Sequence, residues 1–120
     1  MKHLYIVLLS LPLIGFGQGW EQMFGGDEDD ICYSVQQTTD GGYIITGGTE
    51  SFGIGFSSIY LIKTDENGTE QWSQTFGGTG YDYGRSVQQT IDGGYIIVGT
   101  TLSFSQYNSD VYLIKTDENG

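Results

Sequence analysis

The sequence has little positive charge, one cysteine and one histidine. Four basic residues stand against 15 acidic ones, and the formal net charge of −11 would repel nucleic acid and anionic lipid. A single cysteine excludes an internal disulfide bond, so we expect Cys32 to be a small buried apolar residue, with an exposed reactive thiol as the alternative. The only histidine is His3, so a mature chain without it cannot form a Ser-His-Asp or Cys-His catalytic arrangement.

Long apolar runs are also scarce. The one at residues 4–16 is too short to cross a bilayer and contains Pro12, so we expect no membrane span. It follows a short basic head and ends in small residues, the pattern of a secretory signal peptide cleaved after Gly17. An apolar first strand is the alternative. We predict a secreted or cell-surface protein whose mature chain has three basic residues against 15 acids, a net charge of −12.

The chain contains one segment twice. Residues 20–68 and 72–120 align without a gap at an offset of 52, and about 30 of the 49 paired positions are identical. The hexapeptide DGGYII, for example, occurs at 40–45 and again at 92–97. A repeat of this length is typical of stacked or radial arrays.

Each copy carries β-strand signals in the same order. SVQQT leads through Asp-Gly-Gly into YIITGGT or YIIVGTT, and a variable loop precedes IYLIKTD or VYLIKTD. In the first copy, TEQWSQTF follows the turn at Asn67-Gly68, a strong hairpin signal because both residue types accept positive φ. We therefore predict four short antiparallel strands per unit, joined as a meander.

The middle strands favour one architecture. Residues 43–45 and 59–62 are continuous apolar runs, so both faces of these strands need cover and the sheets must stack. We predict an all-β protein, a β-propeller built from four-stranded antiparallel blades, with paired glutamines of the first strands lining a wet channel. A β-solenoid and an immunoglobulin-like sandwich fit the repeat less well.

The phase of the repeat predicts the domain boundaries. About two blades are too few for a ring, so we interpret the sequence as an N-terminal fragment that needs further blades of the same chain. The alternative is a short complete chain that closes its ring by self-association. We expect the last blade to expose a face carrying Tyr95 and Ile97. The predicted segments are a signal peptide (1–17), a strand completing a neighbouring or closing blade (18–30), a first blade (31–82) and a second blade lacking its fourth strand (83–120).

The motifs resemble a known family. FGGTGYDYGRSVQQTIDGGYIIVGTT, followed by SDVYLIKTDENG, is similar to the bacterial β-propeller repeats of large secreted and cell-surface proteins, close to those called SBBP repeats. The resemblance covers residues 20–120. It implies a multi-bladed extracellular propeller and supplies no catalytic residues.

Aspartates at the turns are the metal-binding candidates. Those that recur in both copies most simply accept backbone N–H groups and set turns. Calcium is the alternative at the acidic cluster that begins at Asp27 and at the Glu-Asn-Gly turn. We expect solvated loops and no required cofactor, with Ca²⁺ as the weaker possibility. The candidate ligands are Asp27, Asp29, Asp30, Asp65 and Asn67.

The loops between the second and third strands differ between the copies, at residues 50–56 and 102–108. Phe52 and Phe104 recur there, and we expect them to fill the gap between blades. Other aromatic and polar side chains of these loops could grip a glycan or protein partner at the propeller rim. The ligand-binding candidates are Phe56, Tyr107 and Asn108.

These features favour one functional hypothesis. We expect a secreted or cell-surface, non-enzymatic scaffold for adhesion or for partner or glycan binding. One alternative is part of a propeller-type polysaccharide hydrolase, which needs only two carboxylates. The other alternative is a purely structural spacer.

Overall fold

The computed structural model describes residues 19–120, and the predicted signal peptide at 1–17 lies outside them. The described residues form seven β-strands and no helix, so they include no helix that could span a membrane. The described part of the chain is therefore all-β, as predicted. The strands are β1 (Asp30–Gln37), β2 (Tyr43–Thr49), β3 (Ser58–Thr64), β4 (Glu70–Phe76), β5 (Asp82–Gln89), β6 (Tyr95–Thr101) and β7 (Asp110–Thr116).

The seven strands form two open antiparallel sheets. The first sheet has the order β1-β2-β3-β4 and the second the order β5-β6-β7, so every neighbouring pair is consecutive in sequence. This confirms the predicted meander. Within residues 19–120, β7 pairs only with β6 and leaves its outer edge without a strand partner.

The turn between β3 and β4 is a hairpin of a different kind from the one expected. Gly68 N donates to the carbonyl oxygen of Asp65 at 3.2 Å, and Asp65 N donates to that of Thr69 at 2.9 Å. Gly68 has a φ of 78°, but no residue other than glycine takes positive φ in the described chain. The predicted hairpin at Asn67-Gly68 is confirmed, but only the glycine takes a left-handed conformation, because a longer loop needs such a residue at one position.

The core lies between the two sheets. Strand β5 packs across β1, β2 and β3. The approach is close at Gly84, where an added Cβ would lie 2.1 Å from Thr46 Oγ1. Each large apolar side chain buried here contributes about 1.5–3 kcal/mol relative to full exposure. The buried cluster consists of Ile44, Ile59 and Leu61 from the first sheet and Val87, Tyr95 and Ile97 from the second.

The exposed face of the second sheet is not the one expected. Tyr95 and Ile97 are buried against the first sheet, so the prediction that they would be exposed is wrong. Both faces of these strands are apolar, and the sequence pattern does not tell which face meets the neighbouring sheet. The exposed apolar side chains of the second sheet are Val98, Val111 and Leu113.

An aromatic contact recurs at the 52-residue offset. The rings of Trp72 and Tyr95 have centroids 5.7 Å apart at an interplanar angle of 60°. Trp20 and Tyr43, the equivalent pair, are also 5.7 Å apart, at 62°. Trp20 therefore lies against the first sheet as Trp72 lies against the second, although no strand is formed at residues 19–29.

Glutamine side chains link the first strands of the two sheets, β1 and β5. Gln36 Oε1 accepts the backbone N–H of Gln89 at 2.9 Å, and Gln89 Oε1 accepts that of Thr39 at 2.9 Å. One glutamine of each pair is thus used to join the sheets. A wet channel lined by the glutamines stays a prediction.

Cys32 is exposed, so the prediction that it is buried is wrong. It lies on β1, an outer strand of the first sheet, and lines a cavity of about 220 Å³ together with Gln22 and Phe24. In the part of the chain that the structure describes, no strand pairs with β1 on its other side to cover the thiol.

We expect the Cys32 thiol of the folded chain to react with a disulfide reagent such as Ellman's reagent at a rate within about tenfold of the urea-unfolded chain. The reason is its exposure to solvent. The release of the chromophore in native buffer and in urea measures both rates. Protection far beyond tenfold in native buffer would contradict the expectation and show that this face is covered in solution.

Candidate functional site

Four aromatic rings and one guanidinium come together where the two sheets meet. Phe56 comes from the loop between β2 and β3, Tyr33 from β1, and Tyr81 precedes Tyr83 and Arg85 of β5. We call these five residues the Tyr–Arg cluster. A backbone bridge between Ser57 and Tyr81, which joins the β2–β3 loop to the start of β5, brings the loop ring beside the strand rings.

The rings of the Tyr–Arg cluster form a continuous row. Phe56 stacks on Tyr81 with centroids 5.2 Å apart and 14° between planes, and Tyr81 lies nearly parallel to Tyr83 at 6.4 Å and 17°. Tyr33 meets Tyr83 edge-on at 6.3 Å and 87°. The row stays accessible, because Phe56, Tyr81 and Tyr33 are all exposed.

Arg85 caps the row. Its guanidinium carbon lies 4.3 Å from the ring centroid of Tyr33 and 5.4 Å from that of Tyr83, within the range of cation–π attraction. The two lysines of residues 19–120 are each paired with a carboxylate, at 2.9 Å in both cases. Arg85 is the one basic side chain in this part of the chain that has no carboxylate partner.

All five cluster residues stand at positions where the two copies differ. Positions shared by both copies serve the fold of the unit, whereas differing positions are free to serve binding. Comparison of the first strands of the two copies could have found this signal, whereas the variable loops predict only Phe56 among the five residues. The pairs are Phe56 with Asn108, Tyr81 with Asp29, Tyr83 with Ile31, and Tyr33 with Arg85.

The three predicted ligand-binding residues do not form one site. Phe56 belongs to the Tyr–Arg cluster. Tyr107 and Asn108 are exposed in the loop between β6 and β7, and Tyr107, at 88% exposure, makes no ring contact with Phe56 in the described chain.

The recurring loop phenylalanines pack within their own sheets. Phe52 lies against Tyr60 and Phe104 against Tyr112, each with centroids 5.5 Å apart. The tyrosine belongs to the third strand of the same sheet in both cases. Each loop thus folds back onto the sheet from which it emerges, and the expectation that these phenylalanines fill the gap between blades stays a prediction.

Asp30 holds the turn that enters β1. Its carboxylate accepts the N–H of Gly26 at 2.9 Å and the hydroxyls of Ser51, at 2.7 Å, and Thr49. Burial alone raises the pKa of Asp30, but these hydrogen bonds outweigh it and the net pKa is lowered. The equivalent Asp82 makes the same set of contacts in the second copy. The prediction that recurring aspartates set turns is confirmed here.

The other metal-binding candidates lie in separate loops. Asp27 and Asp29 are exposed in the acidic cluster. Asp65 Oδ1 accepts the N–H groups of Asn67, at 2.8 Å, and Thr69, at 2.9 Å, so this oxygen shapes the turn. Within residues 19–120 no three His, Cys, Asp or Glu side chains come close enough to share a metal ion. Calcium binding stays a prediction.

Asp40 forms an ion pair with a buried lysine. Three contacts lower the pKa of Asp40 from 3.8 to about 2. The hydrogen bond from Thr38 has the largest effect, and the contact with Lys63 and the N–H of Gly42 add to it. Lys63 Nζ also donates to the carbonyl oxygen of Thr64 at 2.7 Å and to Gln71 Oε1 at 3.1 Å. The pair ties the β1–β2 turn to β3 and β4.

We expect this pair to make stability depend on pH in the acid range. The pKa of Asp40 is lower in the folded chain, so its contribution is complete above about pH 4 and is lost as the pH falls toward 2. Urea unfolding at several pH values measures the slope, which we expect to be shallower between pH 4 and 2 in Asp40→Asn. An identical slope in wild type and variant would contradict the assignment.

Neither the protein-family models nor the curated proteins give a match to the chain. The resemblance to SBBP-type repeats therefore depends on the quoted motifs alone. The functional proposal depends on the repeat, the two stacked sheets and the Tyr–Arg cluster.

Proposed function

We propose that the chain is part of a secreted or cell-surface β-propeller repeat protein and acts as a non-catalytic scaffold for partner binding. One observation carries the proposal. The positions shared by the two copies build the sheets and their turns, whereas differing positions supply the Tyr–Arg cluster. A constant frame with a variable, exposed aromatic site is the arrangement of a binding scaffold.

The outer faces of the two sheets support the propeller part of the proposal. Leu61 is completely buried by the second sheet, whereas its equivalent Leu113 is 65% exposed. On the opposite outer face, Val35 is exposed although its equivalent Val87 is buried between the sheets. Each outer face thus presents apolar side chains whose equivalents in the other copy are buried between the two sheets. Further sheets of the same type fit on both faces, and a radial series of them closes a propeller.

The non-catalytic part rests on the available side chains. Residues 19–120 contain no histidine. The carboxylates of Asp30 and Asp82 are occupied by turn hydrogen bonds, and those of Asp40 and Asp92 by lysines. No observation singles out two carboxylates for glycoside hydrolysis, and the exposed Tyr–Arg cluster favours binding over a spacer role.

Two experiments test the proposal. The purified mature chain, incubated with a panel of polysaccharides, should release no reducing ends, and sustained release would contradict the non-catalytic role. In sedimentation experiments at rising concentration the chain should self-associate through its two apolar faces. Val111→Asp should weaken this association, because the substitution places a charge on the exposed face. A chain that stays monomeric throughout would count against stacking of further sheets.

A further inference from the structure

We infer that the Tyr–Arg cluster is the docking site for a protein segment that presents a single Asp or Glu carboxylate beside apolar side chains. This inference deepens the proposed binding function and depends on it. The cluster supplies both parts of such a site, since Arg85 recognises the carboxylate and the ring edges of Tyr33, Tyr81 and Tyr83 receive the apolar neighbours.

The charge distribution identifies the anionic group. The Arg85 guanidinium lies over the Tyr33 ring and makes no ion pair within residues 19–120, so its N–H groups can form two parallel hydrogen bonds with a carboxylate. Lys63 and Lys115 are occupied by Asp40 and Asp92, so Arg85 is the available cation of the described chain. The mature chain carries a net charge of −12, which would repel a polyanion. A segment with a single carboxylate can pair with Arg85 and avoids the repulsion that a polyanion would meet.

The ring geometry favours a protein segment over a sugar. Recognition of a pyranose by stacking needs an open ring face. In this cluster Phe56 and Tyr81 each cover one face of the other ring, and the Arg85 guanidinium lies over a face of Tyr33. Protein groups thus occupy the faces inside the row, which leaves less open ring surface for stacking on a sugar. Tyrosine and arginine are also the residues most enriched where protein interfaces carry their binding energy.

A peptide array tests the inference. The probes are synthetic nonapeptides with a central Glu flanked by Leu, Pro or Tyr, each beside a matched peptide with Gln in its place. Fluorescence anisotropy with the mature chain then measures the affinity of the strongest binders. We expect the Gln peptides to bind about tenfold more weakly, because they lose the charge-assisted pair with Arg85.

The repeat provides matched variants. Arg85→Tyr and Tyr83→Ile introduce residues that the first copy already holds at the same strand positions. We expect Arg85→Tyr to abolish the preference for Glu over Gln, and Tyr83→Ile to weaken binding of both peptides. The control Ile91→Thr also takes the first-copy residue, at an exposed turn beyond the far end of β5, and should leave binding unchanged.

The outcomes separate the inference from the proposed function. If no peptide prefers Glu to Gln, or if Arg85→Tyr keeps the preference, the inference is wrong. Glycan-array binding that is lost in Tyr83→Ile, with a blank peptide array, would also overturn the inference but leave the binding scaffold standing. Release of reducing ends from polysaccharides would count against the non-catalytic scaffold but not against docking of a peptide at the Tyr–Arg cluster. The comparison of Glu and Gln peptides needs only the wild-type chain, so it holds even if a variant does not fold.

Discussion

Leu61→Ala is expected to lower the free energy of unfolding by about 2–5 kcal/mol, whereas Leu113→Ala should change it by less than about 1 kcal/mol. The two leucines occupy equivalent positions of the repeat and have the same neighbours in sequence. Leu61 is completely buried between the sheets, and its truncation leaves a cavity beside Ile59 and Val87. Leu113 is mostly exposed, so its truncation removes little contact.

Urea unfolding of both variants at low protein concentration measures the difference. Repetition at high concentration is the control, because Leu113 becomes buried if chains associate through this face. Equal and large losses for both variants at low concentration would contradict the open second sheet. A loss for Leu113→Ala that appears only at high concentration would support the stacking of further sheets.

The second large effect concerns the ion pairs. Asp40→Ala should lower the free energy of unfolding by about 2–3 kcal/mol, because it leaves the Lys63 ammonium buried without its carboxylate. The Lys63 side chain is 4% exposed, whereas that of Lys115, the partner of Asp92, is 43% exposed. We expect a much smaller effect from Asp92→Ala, since solvent screens that pair and readily rehydrates the lysine.

The same unfolding measurement compares the two aspartate variants. The pKa of Asp92 is also lowered, by the hydrogen bond from Thr90 and by Lys115, but this shift implies little stability at an exposed site. The control is Asp40→Ala combined with Lys63→Met, which removes the buried charge and should recover part of the loss. Equal effects of Asp40→Ala and Asp92→Ala would show that burial of Lys63 contributes little.

Several features of the fold follow from local signals in the sequence. The β-branched and aromatic runs and the Asp-Gly-Gly and Asn-Gly turns predict the strands and hairpins, because these preferences act over a few residues. The repeat predicts that both copies build the same sheet, and the recurring Asp30 and Asp82 form the same turn contacts. The exception is Asn67, where hydrogen bonding within the loop selected a different turn from the shortest one.

The sequence by itself determined the strand order, the repeated unit and the turn-forming aspartates, because these depend on contacts between residues close in the chain. The tertiary structure alone decided which apolar face is buried, since Ile97 and Leu113 are both aliphatic and only the placement of the first sheet distinguishes them. It also decided the exposure of Cys32. The Tyr–Arg cluster also depends on the tertiary structure. Its members lie up to 52 positions apart in sequence, and only the packing of β5 across β1 brings Arg85 onto Tyr33.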